Sequence, residues 1–426
     1  MNALSPSALV FSHRHSALLG GLGLPLAFVA LPLYVHLPHW YATHYGVPLA
    51  ALGAVLLLSR LTDALVDPWI GRFSDRLFAR STQAVLAVAA LAAVGVALGF
   101  TGLFFPPLSG SAPGHEGLLL WVAAMLTLSH LAYSTLSILH QSWTALLGGD
   151  ALQRSRLVSW REGWGLLGVL MAGALPTWVG LSGTATVLAL TLVLGGLAWA
   201  RSISPQAHPS TESAGLTLPW RFADFRRLLA VFVLNGMASA VPATLVLFFV
   251  QDQIQAPVAM APWFLTLYFA AAALSLPLWL ACIRRWGLPR TWRGGMALSV
   301  LTFAGVSQLG AGDAPWFAGA CLCSGLALGA DLAVPGALLN GLIDRLGFRA
   351  RAEGAFLGWW NWASKLNLAL AAGTALPLLA LWGYSPGSQT PAALQALTGA
   401  YVWLPCALKT CAAVALTVFF IRPRSR

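Results

Sequence analysis

Residues 60–76 read RLTDALVDPWIGRFSDR and follow directly on the apolar run LAALGAVLLLS at 49–59. Arg60, Asp63 and Asp67 are spaced i, i+3, i+7, which at about 100° per residue gathers them in a helical stripe roughly 60° wide. A narrow stripe of charge on an otherwise apolar helix belongs inside a membrane bundle, facing an aqueous cavity. Pro68 has no N–H to offer the carbonyl of Ala64, so a kink is expected beside the two acids. The helix then leaves the apolar region through Gly71, Asp75 and Arg76. A glycine there permits close helix approach, and an acid and a base can lock neighbouring helix ends, which reads as a cytoplasmic latch.

The rest of the chain agrees with that stretch. Its 426 residues are 58% hydrophobic and 9% charged, with a mean hydropathy of +0.75, and this excludes an ordinary soluble globule. Apolar runs predict twelve helices, at 17–37, 47–70, 84–106, 117–147, 161–181, 184–200, 228–251, 258–283, 294–311, 315–343, 354–381 and 394–421. The longest polar break contains SISPQAHPSTESAG at 202–215. It divides an all-α membrane protein into an N-terminal six-helix bundle (1–201), a cytoplasmic linker (202–227) and a C-terminal six-helix bundle (228–426), the layout of carriers.

Charge tests that threading independently. All of the 24 basic residues except Arg60, Lys365 and Lys409 fall at the two ends or in alternate breaks: Arg14, Arg72–Arg80, Arg154–Arg161, Arg201–Arg227, Arg284–Arg293, Arg345–Arg351 and Arg422–Arg426. The intervening connections hold only Glu116, Asp252 and Asp313. The positive-inside rule then puts both termini in the cytoplasm of a multi-pass protein, expected in a bacterial inner membrane because arginine so dominates lysine. The net charge of +11 is dispersed in short clusters, so it reads as topology and not as a nucleic-acid surface. The five cysteines lie in apolar runs, with Cys321 and Cys323 too close together for a disulfide framework or a zinc site. They are read as packing residues, and no metal site is expected.

Six ionisable residues lie within the apolar spans: Arg60, Asp63, Asp67, Asp331, Lys365 and Lys409. At about 2.5–3.5 kcal/mol each on insertion scales, they represent on the order of 15 kcal/mol unless paired or wetted. Asp63 and Asp67, one turn apart, repel when both are ionised unless a cation sits between them or Arg60 or Lys365 neutralises them. That is the chemistry of reversible proton or cation binding. The competing reading is a static ion network that orients helices.

At this point RLTDALVDPWIGRFSDR resembles the second-helix signature of the glycoside-pentoside-hexuronide:cation symporters, the melibiose permease branch of the major facilitator superfamily. GRFSDR is also similar to that superfamily's signature between its second and third helices. The resemblance extends over nearly the whole chain and implies the major facilitator fold. It makes Asp63 and Asp67 the paired cation-site aspartates and Lys365, twelve residues after Glu353, the lysine of the eleventh helix. In YSTLSILHQSW it places Tyr133 and Ser134 beside the cation site, and in SWREGWGLLGVLMAG it assigns Arg161 to the substrate cavity. The family's sugar carriers use an aspartate in the first helix and another in the fourth, where this chain has Ala27 and Ser137, so the strongest acceptors for a sugar are missing. Val66 stands where sodium-using relatives have an asparagine, which favours H⁺ over Na⁺.

Asp331, in GADLAVPGALL with Pro335 four residues on, is an acid where those sugar carriers are apolar. It is assigned to the cavity, where the fold analogy could place it near Lys365, with a lone structural acid as the alternative. Trp360 and Asn361 are added to the cavity from the aromatic cluster Trp359, Trp360 and Trp362, which could equally serve packing. Lys409 has no counterpart and no role. The resulting expectation is a carrier and not an enzyme, since no GxSxG or HExxH arrangement occurs. It would carry out cation-coupled symport of a small organic or amphiphilic solute by alternating access. A lysophospholipid or other lipid, or a sugar, is the alternative cargo, and an intramembrane lipid enzyme is a remote one. No cofactor beyond the coupling ion, no nucleic acid and a monomer in the lipid bilayer are expected.

Overall fold

A computed structural model describes residues 12–33, 37–47, 49–107, 116–205, 215–257, 260–349, 351–384 and 387–422. Among these residues the elements are helical: α1 (His13–Gly20), α2 (Gly23–Leu31), α3 (Leu37–His44), α4 (Leu49–Arg80), α5 (Thr82–Phe104), α6 (Glu116–Leu147), α7 (Ala151–Ala200), α8 (Ala223–Phe248), α9 (Ala261–Trp286), α10 (Leu288–Val306), α11 (Ala314–Ala333), α12 (Pro335–Arg345), α13 (Glu353–Leu381), α14 (Pro391–Thr398) and α15 (Leu404–Leu416). Seven helical segments among the described residues are long and apolar enough to cross a membrane on composition alone. The other spans are the broken helix α1–α3, the charge-bearing α4, the first part of α7, the short α10, and α13, which completes the twelve spans of an all-α membrane protein.

The boundaries depart from the apolar runs where amphipathic ends continue a helix. α4 runs on to Arg80 instead of stopping near residue 70, and α7 begins at Ala151, ten residues before the expected start. Asp150 explains the second case, because its Oδ1 accepts from the N–H of Gln153 at 2.7 Å and caps the helix. Arg154, Arg156 and Arg161 are therefore helical residues and not loop residues. α7 joins two expected spans across a break at Gly180, whose φ of 68° and ψ of −178° suit a residue without a Cβ. The first expected span is broken after Gly20, in the glycine- and proline-containing GGLGLP.

The chain forms two compact units. The N-terminal unit comprises residues 1–218 together with 343–362, and the C-terminal unit comprises 219–342 and 363–426. Segment 343–362, which contains the start of α13, thus groups with the N-terminal helices, through the packing and capping contacts described below. Trp143, Trp199, Phe28, Phe100 and Phe104 are fully buried in the first unit. In the second unit Phe249 stacks on Tyr401 with ring centroids 4.1 Å apart. Large apolar side chains also face outward, with Leu91 and Leu120 72% exposed and Leu274 80%. Exposure on this scale suits a surface solvated by lipid. Trp178, beside the Gly180 break in α7, and Trp263 and Trp316, at the starts of α9 and α11, are exposed away from the arginine-rich ends, where an aromatic belt belongs.

Candidate functional site

α4 presents two faces. Leu58, Leu61, Leu65, Trp69 and Phe73 are exposed, whereas Ser59, Asp63, Asp67, Ile70 and Ser74 are buried, Asp63 at 6% and Asp67 at 0% exposure. The paired carboxylates therefore point into protein and not at acyl chains, and Arg60 is half-buried at the edge of their stripe. Opposite them, α6 supplies a parallel register of polar partners. Ser59 Oγ lies 2.9 Å from His130 Nδ1, the Ser134 hydroxyl donates to Asp63 Oδ1 at 2.8 Å, and the Ser74 hydroxyl donates to Ser142 Oγ at 3.1 Å. Asp63 thus accepts a hydroxyl hydrogen bond inside the protein, with a second buried acid one turn away.

The same face of α6 continues past Ser137 to Gln141. Gln141 Nε2 donates to Ser137 Oγ at 2.9 Å and to Asn361 Oδ1 at 3.2 Å, and Asn361 Nδ2 donates to the Leu357 carbonyl at 3.1 Å. Ser137, Gln141 and Asn361 are all half-buried. Tyr133 is half-buried on α6, Trp360 is buried on α13, and Ala27 faces Gly165 of α7. Arg161 pairs with its neighbour Glu162. Lys365 is half-buried in the part of α13 that belongs to the C-terminal unit. Asp331 also lies in that unit, and the cation beside it is Lys409, with Nζ to Oδ2 at 2.8 Å.

The segment ending in Gly71, Asp75 and Arg76 packs on the start of α13. A Cβ added to Gly71 would fall on the Gly354 carbonyl, and one added to Gly358 would lie 2.6 Å from the backbone oxygen of Asp67. The two helices cross backbone against backbone beside Asp67. Asp75 then caps α13, its Oδ1 accepting from Gly354 N at 2.6 Å and its Oδ2 from Ala355 N at 2.9 Å. Burial first, and then the neighbouring Glu353, push the Asp75 carboxyl well above its usual range, against the pull of the two amides. Arg76 is exposed.

Both Asp75 oxygens accept backbone amides, so their acceptor role can be tested separately from the charge. Asp75→Asn, which keeps one acceptor, should cost about 1 kcal/mol, and Asp75→Ala, which strands both amides, about 2–3 kcal/mol. Thermal melting of the purified variants should rank wild type above Asn above Ala. Equal losses would assign the cap to charge alone.

A reciprocal cap closes the end of α6. Arg349 Nη2 donates to the carbonyls of Leu146 at 3.1 Å and Leu147 at 2.8 Å, and Asp344 lies between Arg349 and Arg154 at 3.7 and 3.5 Å. A cation on a helix C-terminus and an acid on a helix N-terminus are both favourable to the helix dipole. Sequence reasoning missed Ser59, His130, Gln141 and Arg349 as partners. His130, Ser134, Ser137 and Gln141 are spaced i, i+4, i+7, i+11 along an apolar run, a polar stripe that could have pointed to His130 and Gln141.

Comparison with known proteins adds the following. The family model described as MFS/sugar transport protein matches residues 16–422. Comparison with curated proteins yields no match. Among solved structures, the chain is similar to a bacterial homologue of the iron transporter ferroportin in an outward-facing state, with a TM-score of 0.70 at 17% identity over 97% of this chain and 100% of that one. It is similar to the E. coli fucose:proton symporter FucP (TM-score 0.65, 13% identity, covering 96% and 98%). It is also similar to the human organic anion transporter MFSD10 (0.64, 17%, covering 97% and 100%). Identities this low establish the shared fold alone.

Proposed function

The chain belongs to the MFS/sugar transport protein family, and on that premise we propose that it is a proton-coupled symporter of the melibiose permease-like branch, carrying a small organic or amphiphilic solute by alternating access. Membership makes it a non-enzymatic membrane transporter; the coupling ion and the cargo are the proposal. The observation that carries it is the buried Asp63, turned away from lipid on α4 and receiving the Ser134 hydroxyl at 2.8 Å, with the buried Asp67 one turn on. RLTDALVDPWIGRFSDR supports the placement in that branch, with Tyr133 and Lys365 completing the coupling set.

Loading a proton onto the acid pair lowers the charge that a closing cavity must bury. The loaded, occupied carrier then closes more readily than the empty, charged one, and this ties cargo movement to proton movement. Val66, beside Asp67, has no side-chain oxygen with which to ligate Na⁺. The uncharged set Ser137, Gln141 and Asn361 supports a cargo with neutral hydrogen-bonding groups. Arg161, Ala27 and Trp360 remain candidates for the cavity wall.

Cargo is found first by ligand-induced thermal shifts across sugars, carboxylates and lysolipids, since binding to the folded state raises its stability. Uptake of the cargo so identified, in proteoliposomes at fixed membrane potential, is then expected to follow an inward pH gradient and to be unchanged by added Na⁺. Stimulation by Na⁺ at constant pH would replace the proton with sodium as the coupling ion.

A further inference from the structure

Asp331 and Lys409, two ionisable residues that the coupling set does not use, form a site of their own inside the C-terminal unit. Asp331 Oδ2 takes the Lys409 ammonium at 2.8 Å, and Oδ1 accepts from Trp292 Nε1 at 2.8 Å. Lys409 Nζ also donates to Ser239 Oγ at 3.2 Å. Both charged side chains are below a tenth exposed, at 9% for Asp331 and 7% for Lys409. One carboxylate thus ties together α8, α10, α11 and α15 through a chain of polar contacts in an apolar interior.

The position of Asp331 along its helix is what distinguishes this pair from a generic ion bridge. α11 ends at Ala333 and α12 starts at Pro335, yet Ala314–Arg345 as a whole is long and apolar enough to be a single span, with Val334 between the two segments at φ −100°. Breaks of this kind arise because proline lacks the N–H that would bond the carbonyl four residues earlier; for Pro335 that carbonyl belongs to Asp331 itself. The residue whose backbone is released by the proline is therefore the residue whose side chain is held by two other helices. A buried ion pair gives little net stability over a well-packed apolar pair, so its presence here calls for a role in geometry.

We propose that Asp331 and Lys409 are a positioning pair for transport. They pin the α11 side of the break to α8, α10 and α15, so that bending of the span during the transport cycle is confined to the α12 side of Val334. The proposal rests on the chain being a transporter and is independent of which ion couples transport.

The test is hydrogen–deuterium exchange of the full-length protein in lipid nanodiscs, read at amides 328–333 at the end of α11, alongside thermal melting. Lys409→Met strands the carboxylate with one donor and should lower the melting temperature by several degrees, whereas Asp331→Asn combined with Lys409→Met removes both charges and should restore it. In that double variant a positioning role predicts exchange at 328–333 about tenfold faster than in wild type despite restored melting, because bending is no longer held to the α12 side. A pair serving only as glue would return both readouts together, and exchange within about twofold of wild type in the melting-restored variant would overturn the proposal. Trp292→Phe leaves both charges in place and removes one tether; it should raise exchange at 328–333 about threefold. If the double variant does not fold, unchanged exchange in Trp292→Phe overturns the proposal on its own.

Discussion

Asp63→Asn is expected to abolish uphill accumulation of cargo while leaving expression and downhill exchange in place. The magnitude follows from the driving force. A proton gradient of about 120 mV supplies roughly 2.8 kcal/mol per coupled proton, enough for about 100-fold accumulation, whereas an uncoupled carrier equilibrates its cargo and goes no further. Asparagine keeps an oxygen to receive the Ser134 hydroxyl, now 2.8 Å from Asp63, and resembles the protonated acid, so the cavity can still close around cargo. Asp67→Asn should behave alike, because the proposed mechanism loads its proton onto the pair and not onto one acid. The measurement is the steady-state accumulation ratio in proteoliposomes under an inward pH gradient, paired with counterflow at zero gradient. Full accumulation by either variant would remove the acid pair from the mechanism.

The second large effect is expected from Gly71→Ala. The added methyl would overlap the backbone carbonyl of Gly354 and crowd the Cα of Gly358. Backbone cannot swing aside as the end of a side chain can, so the two helices must separate or α4 must shift. Overpacking of this sort costs about 1–3 kcal/mol, and here it also moves Asp67, whose own carbonyl touches the same crossing. Transport should fall at least about tenfold, with a lower melting temperature. Gly53→Ala on the same helix is the control: it faces open space, and alanine's better helix propensity should leave it neutral or slightly stabilising. Wild-type transport by Gly71→Ala would mean that the crossing tolerates a spacing the structure does not have.

The spans were legible because lipid enforces long apolar runs and because arginine alternates between connections. Helix ends were less so: once α4 and α7 leave the apolar run, polar residues continue the helix to Arg80 and back to Ala151, and only a cap such as Asp150 marks the boundary. The acid stripe stood out because charge inside an apolar run is costly and therefore rare. Its partners did not, since a hydroxyl, imidazole or amide costs little and the helix it meets is not written beside it. Lys409 shows this most clearly: its carboxylate lies 78 positions away in sequence, and nothing local names it. The latch was recognisable as a motif, but that Asp75 would receive the first amides of α13 required the fold.

The exposed tryptophans measure something besides topology. From Trp263 to Arg284 along α9 is a rise of about 31 Å, close to the roughly 30 Å depth of a bilayer's hydrocarbon. The ring and the guanidinium at the two ends of that helix act as a gauge, anchoring it to both headgroup layers at once. Acyl chains much shorter or longer than this gauge would oblige the helix to tilt or the lipid to deform. The choice of chain length for reconstitution is therefore itself a variable in any measured turnover.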